Sequence, residues 1–180
     1  MQRQQLLASL ASYQSQHGEE AAVVARFTKF IETHENCFSR TCVPGHITGS
    51  AWLLNPGHTH VLLTHHRKLN RWLQLGGHSD GDSDTLRVAR REAEEESGLG
   101  VKPIERGIFD IDVHEIPVHG KEPAHLHFDV RYVLVSVTGE EFSISEESHD
   151  LAWVPLSELT EYTREESILR MHRKWRALRA

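Results

Sequence analysis

The sequence predicts an α/β fold, because its residue pattern changes four times along the chain. Apolar residues recur with helical spacing up to about residue 36, and from about residue 44 short runs rich in Val, Leu, Ile and Trp are typical of strands. A charged helical stretch interrupts those strand-like runs, and another helical pattern follows them at the C-terminal end. This succession favours a sheet covered by helices and preceded by an N-terminal helical hairpin.

The composition is typical of a folded, water-soluble protein. The chain has 180 residues, the length of one domain with an appendage, and its hydrophobic fraction of 38% and charged fraction of 26% argue against disorder. No apolar run approaches the roughly 20 residues that a bilayer span needs, and the first residues lack the apolar stretch of a secretory signal. We therefore expect a cytoplasmic protein without a membrane partner.

The net charge of −6 at pH 7 argues against a dedicated nucleic-acid-binding protein, since phosphate backbones are bound chiefly through Lys and Arg. A small anionic substrate is compatible with this charge if a metal ion offsets the repulsion. Most of the 14 histidines are scattered along the sequence and are expected to titrate as surface groups.

Two cysteines, Cys37 and Cys42, are too few for a disulfide framework and are expected to be buried, reduced thiols. With His34 and His46 they loosely resemble the ligand spacing of a zinc site. Neither C-x2-C nor H-x3-H is present, however, so buried thiols are the favoured interpretation.

The N-terminal helical pattern divides into two apolar stripes separated by a break at His17 and Gly18. We predict a helical extension over residues 1–40 and a second unit over residues 44–180 that begins near Pro44. The stripes would suit a homodimer interface as well as packing within one chain. The first stripe contains Leu6, Leu10 and Tyr13, and the second contains Val23, Val24, Phe27, Phe30 and Ile31.

The remaining pattern predicts six strands and two helices. One helix covers about residues 84–97 and ends at Gly98, the residue type expected just past a helix C-terminus. The last helix carries the stripe Ile168, Met171, Trp175 and Leu178. The predicted strands cover residues 47–54, 59–64, 71–75, 104–113, 126–137 and 151–154, and the fifth is long enough for a central strand.

Three glutamates share one face of the helix over residues 84–97. At about 100° per residue, Glu92, Glu95 and Glu96 point towards one volume. Their mutual repulsion and their position in the last turns, against the helix dipole, each cost tenths of a kcal/mol. A divalent cation would reverse this penalty, and Mg²⁺ prefers carboxylate oxygens with added water and substrate phosphate.

An acidic run alone is more often a solvated helix face than a metal site. Here the neighbouring residues favour the metal site. Arg91 is adjacent to the first glutamate and can orient its carboxylate, while Gly76 and Gly77, after a predicted strand, let the backbone approach a phosphate closely.

Residues 77–99 resemble the Nudix box, G-x5-E-x7-R-E-U-x-E-E-x-G-U, where U is apolar. The resemblance implies an α/β/α sandwich with a mixed sheet, and a hydrolase that cleaves the diphosphate linkage of a nucleoside diphosphate joined to another moiety. It also implies Mg²⁺ as cofactor, with Mn²⁺ as a substitute. The matching positions are Gly77, Arg91, Glu92, Ala93, Glu95, Glu96, Gly98 and Leu99.

The same resemblance assigns roles to individual residues. Glu95 and Glu96 are implied to be the principal metal ligands, Glu92 a further ligand or a general base, and Arg91 the residue that holds the site in shape. In many relatives a later acidic loop supplies a base, and the matching pair here is Glu146 and Glu147. The alternative for this pair is a solvated loop.

One position departs from the box, since Ser83 occupies the place of its first glutamate. Asp82 and Asp84 flank this serine and either could supply the missing carboxylate, so Asp82 is included among the predicted metal ligands. The departure also motivates a different hypothesis, a Nudix-like nucleotide-binding module that has lost catalysis.

Polar residues alternate along the predicted fifth strand, so that His125, His127, Asp129 and Arg131 share one face. Asp110, Asp112 and His114 alternate likewise on the preceding strand, and the two faces could meet across a hairpin. We predict substrate contacts for His127, Asp129 and Arg131, together with Gly76, Gly77 and His78. The alternative is a solvated sheet face.

The C-terminal helix is rich in basic residues, which motivates a third hypothesis, an RNA 5′-end pyrophosphohydrolase. A solvated face opposite Trp175 is the favoured interpretation of that charge. The basic residues are Arg164, Arg170, Arg173, Lys174, Arg176 and Arg179.

Overall fold

A computed structural model describes residues 2–66, 71–118, 123–143 and 148–179 of the protein. The helices are α1 (Gln2–Gln16), α2 (Ala21–Thr33), α3 (Thr85–Ser97), α4 (Leu159–Tyr162) and α5 (Glu166–Leu178), with a short 3-10 helix at Gly18–Glu20. The strands are β1 (Gly45–Leu54), β2 (His60–His66), β3 (Arg71–Leu73), β4 (Leu75–His78), β5 (Val101–Pro103), β6 (Asp110–Ile116), β7 (His125–Ser136) and β8 (Ser148–Pro155). No helix among these residues is long and apolar enough to cross a membrane.

All eight strands belong to one mixed sheet, which confirms the predicted α/β class. The order is β3-β2-β1-β7-β5, and β4 pairs with β1, β6 with β7 and β8 with β2. Strands β1 and β7 are parallel over ten residue pairs, and the other pairings are antiparallel. Strands β1 and β7 each have three partners, so β7 is a central strand, as its length predicts.

The two faces of the sheet carry separate apolar layers, as the alternation of side chains along a strand requires. On β1, Leu53 belongs to the layer that contains α2 and α3, whereas Trp52 and Leu54 belong to the layer under α5. In the α5 layer, Met171 is fully buried and Trp175 is 5% exposed. Helices therefore cover both faces of the sheet.

The predicted N-terminal hairpin is present, and its apolar stripes pack within the chain. Leu10, Phe27 and Ile31 are completely buried, and the Phe30 ring stacks on Phe128 of β7 at 4.0 Å between centroids. The break between the helices falls at the predicted place, since α1 ends at Gln16 and the 3-10 helix begins at Gly18. Both cysteines are free and buried, as expected.

Some predicted boundaries were wrong. The run over residues 71–75 is two strands, so Gly76 and Gly77 lie within β4, where they pair with Ser50 and Gly49, rather than in a loop. Glycine has low strand propensity and shows no periodicity, which is why the sequence concealed this strand. The strand predicted from residue 104 begins only at Asp110, and the short elements β5 and α4 were missed.

A glycine on β1 allows α3 to approach the sheet closely. A β-carbon on Gly49 would lie 2.7 Å from the carbonyl oxygen of Thr85 and 3.0 Å from the β-carbon of Val88. The first of these atoms is backbone and cannot rotate away, so a larger residue would push the helix off the strand.

We expect Gly49→Ala to lower the free energy of unfolding by about 1–3 kcal/mol, the usual cost of overpacking a tight interior contact. Urea denaturation followed by circular dichroism measures this. Gly18→Ala is the control, because a β-carbon there would meet no atom within 4 Å. An equal stability of the two variants would contradict the close helix–strand contact.

Candidate active site

Helix α3 begins and ends where its flanking residues dictate. The Asp84 side chain accepts a hydrogen bond from the backbone N–H of Arg87 at 3.1 Å and so caps the N-terminus. Gly98 adopts a left-handed conformation with φ 71° and ends the helix. The buried side chains of Val88, Ala89 and Ala93 fix the helix on the sheet, so the glutamates on its neighbouring face have a defined orientation.

Two of the three predicted glutamates lie against the glycine pair of β4. The Glu96 Oε1 atom accepts a hydrogen bond from the backbone N–H of Gly76 at 2.8 Å. The Glu92 Oε2 atom lies 2.3 Å from the position that a β-carbon on Gly77 would occupy. Only a residue without a side chain leaves room for this carboxylate. Glu95 is exposed on the same helix.

Arg91 holds Glu92 and the glycine strand together. Its Nη2 atom donates to Glu92 Oε1 at 2.6 Å and to the carbonyl oxygen of His78 at 2.7 Å. The hydrogen bond to Glu92 raises the pKa of the Arg91 guanidinium above its usual range. Arg91 therefore stays charged and fixes the Glu92 carboxylate relative to β4.

The carboxylates of Asp82 and Asp84, on either side of Ser83, both accept hydrogen bonds from Arg87 in the first turn of α3. Both oxygens of Asp82 accept hydrogen bonds from the Arg87 guanidinium, at 2.5 and 2.6 Å, and this pairing holds the pKa of Asp82 below its usual range. Asp84 caps α3. A metal ion bound by Asp82 would therefore compete with the ion pair between Asp82 and Arg87. The role of Asp82 as a metal ligand stays a prediction.

The polar faces of β6 and β7 meet as the hairpin hypothesis required. The antiparallel register places Asp110 opposite Arg131, Asp112 opposite Asp129, and His114 opposite His127. Arg131 is 1% exposed and Asp129 is 2% exposed. The alternative of a solvated sheet face is therefore wrong at these two positions.

Arg131 lies at the centre of a buried ionic network. Its guanidinium donates to Asp129 at 2.7 Å, to Asp110 at 3.0 Å and to Asp112 at 3.0 Å. The other oxygen of Asp129 accepts hydrogen bonds from two β1 hydroxyls, those of Thr48 at 2.9 Å and Ser50 at 2.7 Å. The polar atoms of Arg131 and Asp129 are thus used inside the protein, and their predicted contact with substrate stays untested.

Two basic residues of α5 extend this network. Arg170 donates to Asp110 at 2.8 and 2.9 Å, and the Lys174 ammonium lies 2.6 Å from Asp110 and 2.5 Å from Glu20. Burial alone would raise the pKa of Asp110, but the Arg170 hydrogen bond and the charges of Arg131 and Lys174 hold it below its usual range. Part of the predicted basic face is therefore not solvated.

The histidines are less scattered than the sequence suggested. His127 and His78, both predicted to contact substrate, pack ring against ring at 5.1 Å, and His46, His114 and His125 surround His127 at 4.8, 5.5 and 5.2 Å between centroids. The loose Cys-His zinc spacing is not realised among the described residues, since His46 groups with His125 and His127 instead.

Burial keeps two of these histidines uncharged. Desolvation, together with the charges that His78 and His125 would carry, lowers the pKa of His46 to about 4. Desolvation and the neighbouring imidazoles lower the pKa of His127 to about 2. Both rings are therefore neutral at neutral pH.

A family model for the NUDIX domain matches residues 45–175. The match spans the whole sheet, α3 and most of α5. The chain belongs to the NUDIX family. No curated protein matches it in sequence.

Solved NUDIX structures share the fold of this protein. A NUDIX-family hydrolase from Clostridium perfringens is 25% identical with a TM-score of 0.53, over 74% of this chain and 97% of that chain. An Ap4A hydrolase from C. elegans is 16% identical with a TM-score of 0.52, over 73% and 96% of the two chains. The NUDIX domain of Shewanella oneidensis NrtR, complexed with ADP ribose, is 15% identical with a TM-score of 0.53, over 76% and 89%.

Membership of the NUDIX family supports hydrolysis of a pyrophosphate linkage in general. Within this NUDIX chain, the residues at the box positions Arg91, Glu92 and Glu96 converge on β4. Glu147, the predicted base, lies outside the described residues. A cavity of about 710 Å³ lies between the N-terminal helices and α5, and none of the predicted catalytic or metal-binding residues lines it.

Proposed function

We propose that this NUDIX protein is a Mg²⁺-dependent hydrolase of the diphosphate linkage in a nucleoside diphosphate joined to another moiety. The observation that carries the proposal is the contact of Glu92 and Glu96 with the glycine pair Gly76–Gly77. An acidic helix face without such contacts would be a solvated surface. Here the carboxylates and a side-chain-free backbone, both suited to a metal–diphosphate complex, lie side by side.

The donor atoms fit a hard cation. Glu92, Glu95 and Glu96 offer carboxylate oxygens, the ligands that Mg²⁺ and Mn²⁺ prefer, and we include Asp82 as a further candidate ligand. When bound, the ion would neutralise the diphosphate, stabilise charge at the phosphorus under attack and promote ionisation of a water.

The protein's own residues would orient the reaction. Arg91 keeps Glu92 fixed against β4, so that carboxylate is placed before substrate binds, which lowers the entropic cost of assembling the site. The missing side chains at Gly76 and Gly77 allow a phosphate to approach the backbone. Either Glu92 or Glu147 would accept the proton of the attacking water as one P–O bond forms and the bridging P–O bond breaks.

The substrate class is supported by two relatives of the same fold. One is an Ap4A hydrolase and the other is complexed with ADP ribose, and each compound contains a nucleoside joined to another moiety through a phosphoanhydride linkage. The RNA-end hypothesis has weaker support, because Arg170 and Lys174 of the basic helix are paired with Asp110 and Glu20. The hypothesis of a binding module without catalysis depends on Ser83, and the substrate panel described next distinguishes it from the hydrolase.

A panel of diphosphate compounds tests the proposal. Purified protein is incubated with dinucleoside polyphosphates, nucleotide sugars, ADP-ribose and capped or triphosphorylated RNA, with Mg²⁺, with Mn²⁺ and with chelator, and products are identified by mass. We expect cleavage of small nucleotide substrates that requires the metal. Nucleotide binding without metal-dependent cleavage anywhere in the panel would favour the binding module, and cleavage confined to RNA would favour the third hypothesis.

We expect Gly77→Ala to lower kcat about 10²-fold, because its β-carbon must displace the Glu92 carboxylate and a misplacement of about 1 Å can cost this much. The displaced atoms end a flexible side chain, so the free energy of unfolding should change by less than about 1 kcal/mol. Steady-state kinetics and urea denaturation together check this. A large loss of stability, or undiminished kcat, would contradict the placement of Glu92.

A further inference from the structure

A cluster of histidines occupies one end of the sheet face that also carries Asp129 and Arg131. His46 of β1 and His114 of β6 both pair in register with His127 of β7, and His125 lies two residues before His127 on the same strand. The cluster depends on the parallel pairing of β1 with β7, which brings together residues about 80 positions apart in the chain. It contains neither the glutamates of α3 nor any other carboxylate of the proposed Mg²⁺ site.

Three of these rings hold nitrogen atoms near one another. One ligand atom from each of His46, His125 and His127 lies within 4.8 Å of the other two. The Nε2 atoms of His125 and His127 are 3.3 Å apart. Two nitrogens held tetrahedrally at 2.0–2.1 Å from a zinc ion would be about 3.3 Å apart, so this pair already has the spacing of two metal ligands.

The hydrogen bonds of the cluster define the tautomer of His125. His125 Nδ1 lies 2.9 Å from the carbonyl oxygen of Pro123 and so carries the proton that it donates. In that tautomer its Nε2 accepts the hydrogen bond from His127 Nε2, and a metal ion between the two rings would replace the shared proton. A backbone carbonyl on the second nitrogen is the usual support of a metal-binding histidine, because it fixes the tautomer and the ring orientation.

His46 gives an independent indication of a ligand. Its ring is 3% exposed, and neither ring nitrogen has a hydrogen-bond partner among the described residues. A buried polar group without a partner costs about 1–3 kcal/mol, so folded proteins seldom keep one without a role.

We propose that His46, His125 and His127 form a second metal site, which binds a divalent transition metal of the Zn²⁺ class. Imidazole nitrogens select such ions over Mg²⁺, which prefers oxygen ligands. The fourth position would be taken by water or by a neighbouring group. The site shares no ligand with the carboxylate site on α3, and it does not rest on the proposed hydrolase activity.

Titration of the full chain with Co²⁺ tests the proposal. Protein stripped with chelator and returned to buffer with excess Mg²⁺ is titrated with Co²⁺, whose tetrahedral complexes absorb visible light, and Zn²⁺ is then added as competitor. We expect one tightly bound Co²⁺ per chain and its displacement by Zn²⁺. We expect His46→Gln and His125→Gln each to weaken Co²⁺ binding at least about 100-fold.

Two controls locate the ion. His172→Gln changes a histidine of α5 outside the cluster and should bind Co²⁺ as the wild type does. A variant with both Glu95 and Glu96 changed to Gln should also retain the Co²⁺ spectrum, even where hydrolysis is lost or absent.

Near-ultraviolet circular dichroism verifies that each variant folds. His125 is only half-buried, so its replacement tests the site even if His46→Gln does not fold. The proposal would be overturned if the wild type did not bind one Co²⁺ per chain. It would also be overturned if a folded histidine variant bound Co²⁺ with an affinity within tenfold of the wild type.

Discussion

Replacing Glu95 and Glu96 together by Gln is expected to lower kcat/KM for the diphosphate substrate by about 10³-fold or more. A bound metal ion contributes several kcal/mol to stabilising the transition state, and a loss of about 4 kcal/mol corresponds to about 10³-fold at about 1.4 kcal/mol per tenfold. The Glu96 carboxylate contacts the Gly76 N–H through one oxygen, and a Gln oxygen can accept the same hydrogen bond. The fold should therefore persist.

The stability of this double variant is expected to change in the opposite direction to its activity. In metal-free buffer, removing two negative charges from the last turns of α3 relieves the repulsion between the carboxylates. It also removes an unfavourable interaction with the helix dipole, so the free energy of unfolding should be equal or higher by tenths of a kcal/mol. Glu94→Gln is the matched control, since Glu94 lies on the same helix and contacts Arg90 at 3.4 Å. Glu94→Gln should keep activity within about twofold. Full activity in the double variant would remove the proposed metal site.

The sequence predicted helix α3 and the shared face of its glutamates well because the determining signals are local. The Asp84 cap, the Gly98 terminus and the glutamate spacing all lie within 15 consecutive residues. Helical geometry then fixes which side chains share a face. The contact with Gly77 followed from the order of strand, glycines and helix, although the glycines proved to be part of β4 rather than of a loop.

The sheet face was predicted less completely because its partners are distant in sequence. Alternation along β7 correctly placed Asp129 and Arg131 on one face, but it could not show whether that face meets water or another element. Arg170 and Lys174 come from a helix about 40 residues later, and their pairing with Asp110 buries the network. His46 was missed as a member of the histidine cluster for the same reason, although the His125-x-His127 alternation was a local signal that two rings share a face.

Arg131→Met is expected to lower the free energy of unfolding by about 3–5 kcal/mol, the cost of removing one partner from a buried ionic network. Arg131 is 1% exposed and contacts three carboxylates. In the wild type, the three cations Arg131, Arg170 and Lys174 offset the carboxylates of Asp110, Asp112 and Asp129, and Lys174 also pairs with Glu20. Without Arg131 the buried negative charge exceeds the positive charge, and urea denaturation at pH 7 measures the resulting loss.

The pH dependence distinguishes this electrostatic cost from a loss of packing. The pKa of Asp110 is depressed in the folded protein, so its ionised form contributes stability above the unfolded pKa of about 3.9 that is lost as the pH falls. In Arg131→Met the carboxylates of Asp110 and Asp112 lose a cationic partner, so the pKa of each rises and each protonates more readily on acidification. The difference in stability between wild type and variant should therefore narrow as the pH is lowered from 7 towards about 4.

Arg173→Met provides the matched control for this comparison. Arg173 pairs with Glu166 on the exposed face of α5, where the two side chains are 60% and 70% exposed. Exposed pairs contribute about 0–1 kcal/mol because water screens them, so this variant should stay within about 1 kcal/mol of the wild type at every pH. Two outcomes would contradict the stabilising role of the ionic network of β6, β7 and α5. One is an Arg131→Met variant as stable as Arg173→Met, and the other is a loss of unfolding free energy in Arg131→Met that does not change with pH.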